Sequence, residues 1–510
     1  MKLHTLGSLF NTKNFDLYQL LISFNFLVLL LILSTLSIPS SAGFFDIQAI
    51  YYDGSVSFID RTSVFLAVIL SVMVHFSLIR AKEYSNIFVF ILNYYFITYY
   101  LLRFATLSLT GYSSIFDSYL EPPDLYTFNI TLSFLILANS AIYLGFGLFS
   151  RKIFSINIDR SFNPPPSFLN LLLGAFFIAI CLEGTNSLGF ILSYLPRHAN
   201  FLILFVSPIL FLFIGLITFV VYHRNISRTY CSLFILISLL YLALSISGGG
   251  KSIIIFIVET TFIILAAIKI TITRKEVVKM ILIIPIFITL LYFIFALAVD
   301  IRAAKVSISP DDTRSFRELA IENFFKRGFQ SSDSIIPSIF NRVGYLDVIV
   351  NINKNQKEYS KHLNLKTLKN SFVDNILTPG FDVYDQPKHA NSLVFVYKNI
   401  NEGKISKKFV SDGTAYQSDI FTIYGELFLY FSWFSLLFLS LWAFVGLNLM
   451  NYLTIVNNKY LSTALKISLL LFVGRSYQSM GMDWVLHEII PFLAIVYIFG
   501  FVAARVKKYD

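Results

Sequence analysis

The chain has 510 residues, 56% of them hydrophobic and 14% charged, with a formal net charge of +10. A soluble domain carries about 25% charged residues, so this composition excludes an ordinary water-soluble fold. The basic excess sits in short loops beside apolar runs, which points to a membrane surface and away from nucleic acid.

Apolar runs of about 18–24 residues recur along the chain, the length needed to cross a bilayer as a helix. Spans are expected at 17–37, 62–79, 86–107, 126–149, 168–188, 200–222, 229–246, 252–271, 278–299, 420–447, 460–476 and 488–505. The predicted fold is therefore an all-α polytopic membrane protein with about twelve transmembrane helices. Residues 1–299 hold spans one to nine, and 420–510 hold spans ten to twelve. Between them lies a large polar segment, 300–419, partly helical and far longer than a usual connection. The first run, Leu17 to Leu36, is long enough to span and lacks an A-x-A site, so it reads as a retained helix.

Loop charges alternate along the chain. Lys2 and Lys13 precede span one, and Asp46, Asp53 and Asp60 follow it. Arg80 and Lys82 come next, then Asp117, Glu121 and Asp124, then Arg151, Lys152 and Arg160. The positive-inside rule then places both termini in the cytoplasm and the long segment outside, in the periplasm. That segment is expected to act as a lid over a membrane-embedded site.

Cys181 and Cys231 have no CxxC neighbour, which leaves no basis for a zinc site or a disulfide framework. No HExxH, GxSxG or DxD signature supports metal or acyl-enzyme chemistry. No metal and no cofactor is expected. The stretch SISGGGKS, Ser245 to Ser252, lacks the first Gly of a Walker A loop and joins two spans, so it is not a nucleotide site. Two readings of Lys251 stay open, an interfacial anchor in a tight turn and a contact to a lipid phosphate.

Ionisable residues inside apolar runs are costly in lipid and usually face the bundle interior. His75, Arg103, Glu183, Glu259, Glu426 and Arg475 are of this kind. Arg103 and Arg475 fall toward the outer ends of their helices, where they either reach a shared cavity or snorkel to head groups. GRSYQSMGMDWVLHE, Gly474 to Glu488, is an outer turn that reads either as a second wall of a site or as a solvated turn. In the long segment, Arg314 to Arg327 has an amphipathic helical pattern. Ile335 to Ile352 reads as a second helix with Pro337 in its first turn. Asp347 lies five residues beyond Arg342, off the spacing of a helical pair, which leaves it for another partner, structural or substrate.

The layout resembles the Wzy-type O-antigen and capsule polymerases of bacteria, which join oligosaccharide repeat units. Three stretches carry the resemblance: SGGGKSIIIFIVE after Ile246, NRVGYLDVI (Asn341 to Ile349) and SDIFTIYGELFLYF (Ser418 to Phe431). Relatives show Gly-Ser-Arg in the first, where this chain has Lys251. The resemblance implies a multi-pass protein of the bacterial inner membrane. Its reaction would be glycosyl transfer between undecaprenyl-diphosphate-linked oligosaccharides on the periplasmic face, in O-antigen, lipopolysaccharide or capsular polysaccharide synthesis. A chain-length regulator protein and membrane lipids are the other partners it implies.

Such a reaction needs cations for the diphosphate leaving group and a base for the acceptor hydroxyl. Arg302, Arg317, Arg327, Arg342, Arg475 and Lys251 are the candidate diphosphate ligands. Asp333, Asp347, Asp385, His389 and Asp483 are the candidate bases. A flippase for lipid-linked oligosaccharide and a ligase are the alternative readings. The single long segment after span nine, without matching halves, favours the polymerase.

Overall fold

The computed structural model describes residues 14–37, 59–83, 86–110, 124–149, 228–247, 345–362, 364–373 and 422–452, with isolated positions between 170 and 325, at 383–384 and at 470. In chain order the elements are β1 (Asn14–Asp16), α1 (Leu17–Ser34), α2 (Arg61–Glu83) and α3. Helix α3 is built of Ile87–Phe96, a π-helical turn Ile97–Leu101 and Leu102–Thr110. Then come α4 (Leu125–Phe149), α5 (Arg228–Ser247), β2 (Thr271–Thr273) and α6 (Tyr345–Lys354). Helices α7 (Gln356–His362), α8 (Leu365–Phe372), α9 (Ile423–Phe431) and α10 (Ser435–Tyr452) complete the described set.

Five segments are long and apolar enough to cross a membrane: Leu17–Ser34, Arg61–Glu83, Ile87–Ser108, Leu125–Gly145 and Ile423–Gly446. The first four coincide with the expected spans one to four, the fifth falls on the expected span ten by length and composition but is broken at Ser432, and α5 coincides with the expected span seven. The other expected spans, and most of the long polar segment, lie outside the described residues. Leu30 and Leu33 of α1, Phe65 and Phe76 of α2, Leu137 and Leu144 of α4, and Leu437 and Leu441 of α10 are exposed. A soluble helix would turn such residues inward; here they form the outer surface that lipid requires.

The chain divides into two compact units. The first comprises Met1–Leu20, Asn157–Tyr194 and Ile209–Ile339. In it β1 pairs antiparallel with β2, Asn14 opposite Thr273 and Asp16 opposite Thr271. This short pair departs from the all-helical expectation, and the β-branched Thr-Ile-Thr of β2 suits it. Thr273 N–H donates to Glu276 Oε2 at 2.7 Å and Glu276 N–H to Thr273 Oγ1 at 3.3 Å, a capping box that ends the strand.

The second unit comprises Leu21–Ile156, Leu195–Pro208 and Phe340–Asp510. Its helices begin where the sequence supplies caps. Asp60 Oδ1 accepts from Ser63 N–H, Asn86 Oδ1 from Val89 N–H, Asp124 Oδ1 from Thr127 N–H and Thr422 Oγ1 from Gly425 N–H. Polar side chains then join the apolar helices. Asn25 Nδ2 on α1 donates to Ser71 O on α2 at 3.0 Å. Ser63 Oγ on α2 donates to Asn129 Oδ1 on α4 at 2.7 Å. Asn93 of α3 donates to Ser77 of α2 and accepts from Tyr143 of α4. Such bonds and small residues hold membrane helices together where lipid removes most of the hydrophobic drive. Gly145 of α4 lies so close to α10 that a Cβ there would strike the Ser440 carbonyl oxygen.

The expected span 420–447 is two helices. Along α4, Tyr424 of α9 reaches Asn139 and Phe428 meets Phe134. After the turn Ser432–Phe434, Trp433 meets Phe134 and Ser440 lies against Gly145. Numbers along α4 fall as α9 advances and rise as α10 advances, so the chain reverses at Ser432. That residue has φ 52 and ψ −132, outside helical space.

Candidate functional site

Helix α3 is the hub of the second unit. Of its membrane-length window 83% is buried, against 33–50% for the other four. Tyr95, Phe96, Tyr99 and Tyr100 are all buried. Phe96 stacks on Tyr100 at 4.9 Å, and both meet Tyr424 of α9 edge-on. Tyr99 meets Tyr345, the first residue of α6, edge-on at 5.1 Å.

The π-helical turn Ile97–Leu101 interrupts α3 at this level, with Leu102 N–H bonded back five residues to Ile97 O. A π turn adds a residue to one helical turn and re-aims the side chains beyond it; such turns recur at functional sites. The second residue past the turn is Arg103. Arg103 Nε lies 3.0 and 3.2 Å from Asp347 Oδ1 and Oδ2, and Nη2 lies 2.5 Å from Oδ2. Both side chains are 1% exposed. This is a two-pronged guanidinium–carboxylate pair, the geometry that best compensates buried charge.

Asp347 is delivered by α6, whose sequence YLDVIVNINK is apolar on most sides. Leu346, Val348, Ile349, Val350 and Ile352 are buried with it. Gly425 of α9 permits their approach: a Cβ there would come 2.5 Å from Ile352 Cδ1 and 3.8 Å from Ile349 Cγ1. Further along α6, Asn353 Nδ2 donates to Thr131 Oγ1 of α4 at 2.6 Å. Glu426 of α9 is fully buried as well. The α6 part of the long polar segment is thus a wall of the helical bundle, where the sequence suggested a lid. The apolar run around Asp347 is the physical reason.

Two acidic caps mark the same end of the bundle. At Asp60 burial pushes the carboxyl up, but the Ser63 N–H and hydroxyl, with Asn129, outweigh it and hold it below the ordinary value. Asp124 is also held low, by the Thr127 side chain and N–H.

Of the sequence-nominated residues, the structure places Asp347, Arg103 and Glu426 in this enclosed region. Asp333, Asp385, His389, Asp483, Lys251, Arg302, Arg317, Arg327, Arg342 and Arg475 lie outside the described residues. Sequence reading singled out Arg103 and Asp347 separately but not as partners, since 244 positions part them. The usable signal was that each is a charge of opposite sign inside an apolar run, and such charges seek each other. Among the described residues no three His, Cys, Asp or Glu side chains gather as a metal site.

The second unit is thus a bundle of apolar helices, of the integral-membrane class, enclosing a charged and aromatic centre. Comparison with known proteins finds no matching family model, no matching curated protein and no matching solved structure.

Proposed function

We propose that this chain is a membrane glycosyltransferase that polymerises undecaprenyl-diphosphate-linked oligosaccharide repeat units into O-antigen or capsular polysaccharide at the periplasmic face of a bacterial inner membrane. One observation carries the reading. Two of the three stretches behind the resemblance pack directly on each other, Ile349 of NRVGYLDVI lying near the Gly425 position of SDIFTIYGELFLYF. Stretches far apart in the chain that meet along the helix carrying the buried Asp347 suit a shared site better than a loop and a span unrelated in role.

In this reading the end of the bundle bearing Asp60 and Asp124 faces outward, and the end bearing Arg80 and Lys82 faces the cytoplasm. An acceptor sugar hydroxyl attacks the anomeric carbon of the donor glycan. The new C–O bond forms as the bond to undecaprenyl diphosphate breaks, and the hydroxyl proton passes to a base among Asp333, Asp385, His389 and Asp483. Arg302, Arg317, Arg327, Arg342, Arg475 and Lys251 are the candidates to neutralise the departing diphosphate. Asp347 has both oxygens on Arg103, so its role here is to position α6 and the residues preceding it.

The test is a surface-glycan gel on cells lacking the chain. Single repeat units on the final acceptor with no long chains support a polymerase. Unextended lipid-linked units trapped on the cytoplasmic side would indicate a flippase and overturn the proposal. Arg327→Ala and Arg342→Ala are each expected to abolish chain extension while the protein is still made. Normal ladders from both would remove these residues from the diphosphate site.

A further inference from the structure

Helices α6 and α9 both begin inside the bundle. Tyr345, the first residue of α6, meets Tyr99 at 5.1 Å, and Thr422, the N-cap of α9, is hydrogen-bonded to Tyr100. Tyr99 and Tyr100 lie midway along the membrane-length segment Ile87–Ser108. From there both helices run toward the end bearing Asp60 and Asp124. Late in α6, Asn353 donates to Thr131 of α4. Along α9, Tyr424 meets Asn139 of α4, and Phe428 then meets Phe134. The two helices also lie side by side. Ile349 and Ile352 sit against Gly425, and further on Gln356 of α7 reaches Phe428 O. Residue numbers rise together, so α6 and α9 are parallel and their N-termini lie level to within about one turn.

Parallel neighbours bring two partial positive charges, about half a unit each, to one place. The first N–H groups of each helix have no acceptor within it, and hydrocarbon offers none. The first-turn carboxylates are not free to serve there, since Asp347 lies on Arg103 and Glu426 is engaged as well. A second observation points to a ligand. Asn139 of α4 is 4% exposed; its Oδ1 accepts from the Tyr424 hydroxyl at 3.4 Å, and its Nδ2 has no hydrogen-bond partner. Tyr424 is the second residue of α9, and a helical side chain leans back toward the N-terminus. The unmatched amide therefore sits at the N-terminal end of α9. A buried donor without an acceptor is costly, and what this end lacks is an acceptor.

We infer that the paired N-termini of α6 and α9, together with Asn139 Nδ2, form a binding site for an oxyanion of the phosphate class inside the bundle. Backbone N–H groups and an amide N–H are all donors, which suits a ligand made of acceptors. Helix N-termini bind phosphate readily, and half-helices that start inside a membrane direct their N-termini at anionic groups. A phosphate on a lipid and a free phosphate in solution share this chemistry. The inference is independent of the glycosyltransferase reading. Anion binding by a chain whose loss leaves long surface glycans intact would keep the site and refute the polymerase.

The test is calorimetric titration of the full chain in phosphatidylcholine nanodiscs with farnesyl diphosphate, inorganic pyrophosphate and farnesol. At least one of the two anions should bind, and farnesol should not displace it. Asn139→Asp keeps the volume and the acceptor for Tyr424 but removes the donor and adds charge. It should weaken binding by about tenfold or more, the worth of one hydrogen bond to a charged group. Asn139→Leu removes the donor without adding charge and should weaken binding to a similar degree. Asn448→Asp makes the same charge change at an exposed position of α10 and should bind as the parent does. Unchanged elution on size exclusion identifies the folded variants. Tighter binding of farnesyl diphosphate than of pyrophosphate assigns the anion to a lipid carrier, and equal binding assigns it to a soluble anion; either outcome supports the site. Binding of neither anion overturns the inference, as does a folded Asn139 variant with parental affinity. Farnesol binding as tightly as its diphosphate, or equal weakening by Asn448→Asp, also overturns it.

Discussion

The Arg103–Asp347 pair makes the sharpest prediction. Arg103→Leu leaves a carboxylate at 1% exposure without its guanidinium. Three magnitudes compete. An ordinary interhelical hydrogen bond in a membrane is worth only ~0.6 kcal/mol. Breaking a buried ion pair by removing one partner costs ~3–5 kcal/mol, because an uncompensated charge remains. Insertion scales put one charge at a helix centre at ~2.5–3.5 kcal/mol. The orphaned charge dominates, so Arg103→Leu and Asp347→Asn should each destabilise the protein by about 3 kcal/mol or more. The double variant Arg103→Met with Asp347→Leu removes both charges and keeps apolar volume, so it should lie within ~1 kcal/mol of the parent. The assay is unfolding in mixed micelles titrated with dodecyl sulfate, followed by circular dichroism. Single variants within ~1 kcal/mol of the parent, or additive effects in the double variant, would refute the assignment of this pair as a buried lock.

The packing and the caps give two further outcomes. Gly145→Leu should separate α4 from α10, since even a Cβ meets the Ser440 carbonyl; a disulfide between cysteines placed on the facing sides of these helices should form in the parent and be lost in the variant. Asp60 and Asp124 are held below the ordinary carboxylate value when folded. Their stabilising contribution is therefore complete above the unfolded value, near pH 4, and is lost as pH falls through it toward the lower folded value. Asp60→Asn should flatten the decline of the unfolding midpoint between pH 5 and pH 3, and an unchanged slope would remove Asp60 as a contributor.

Among the described residues the apolar spans were legible because lipid imposes a simple code. A run of about twenty apolar residues is a helix wherever it packs, and in the structure Asp60, Asn86 and Asp124 cap the starts of three of them. What the code does not carry is a change of direction inside an apolar run. Phe431-Ser432-Trp433 has no Pro or Gly, and the reversal at Ser432 follows a helix held by tertiary contacts, Tyr424 on α3, Phe428 on α4 and Gly425 on α6. The π turn Ile97–Leu101 is equally silent in the sequence ITYYL; the rings that pack on its Tyr99 and Tyr100, Tyr345 and Tyr424, come from far along the chain. The helix Tyr345–Lys354 was expected within Ile335–Ile352, but its burial in the bundle was not, because YLDVIV lay in a segment judged polar by its average, and ten residues do not shift an average taken over more than a hundred.

That short stretch determines how much of the polar segment can move. Undocking α6 would expose Leu346, Val348, Ile349, Val350 and Ile352, now at 0–3%. In water each costs ~1.5–3 kcal/mol, so the five together cost about 8–15 kcal/mol by the same measure, an upper estimate of the term. Separating Arg103 from Asp347 adds to this. The sum is comparable with the whole stability of a typical domain, so α6 stays seated during any functional cycle. A working lid, if the segment contains one, must therefore leave Tyr345–Ile352 in place, and a rigid α6 gives it a fixed point inside the bundle. The placement of NRVG directly before α6 then matters: whatever Arg342 does, it does from a backbone anchored three residues later by Tyr345 on Tyr99 and five residues later by Asp347 on Arg103.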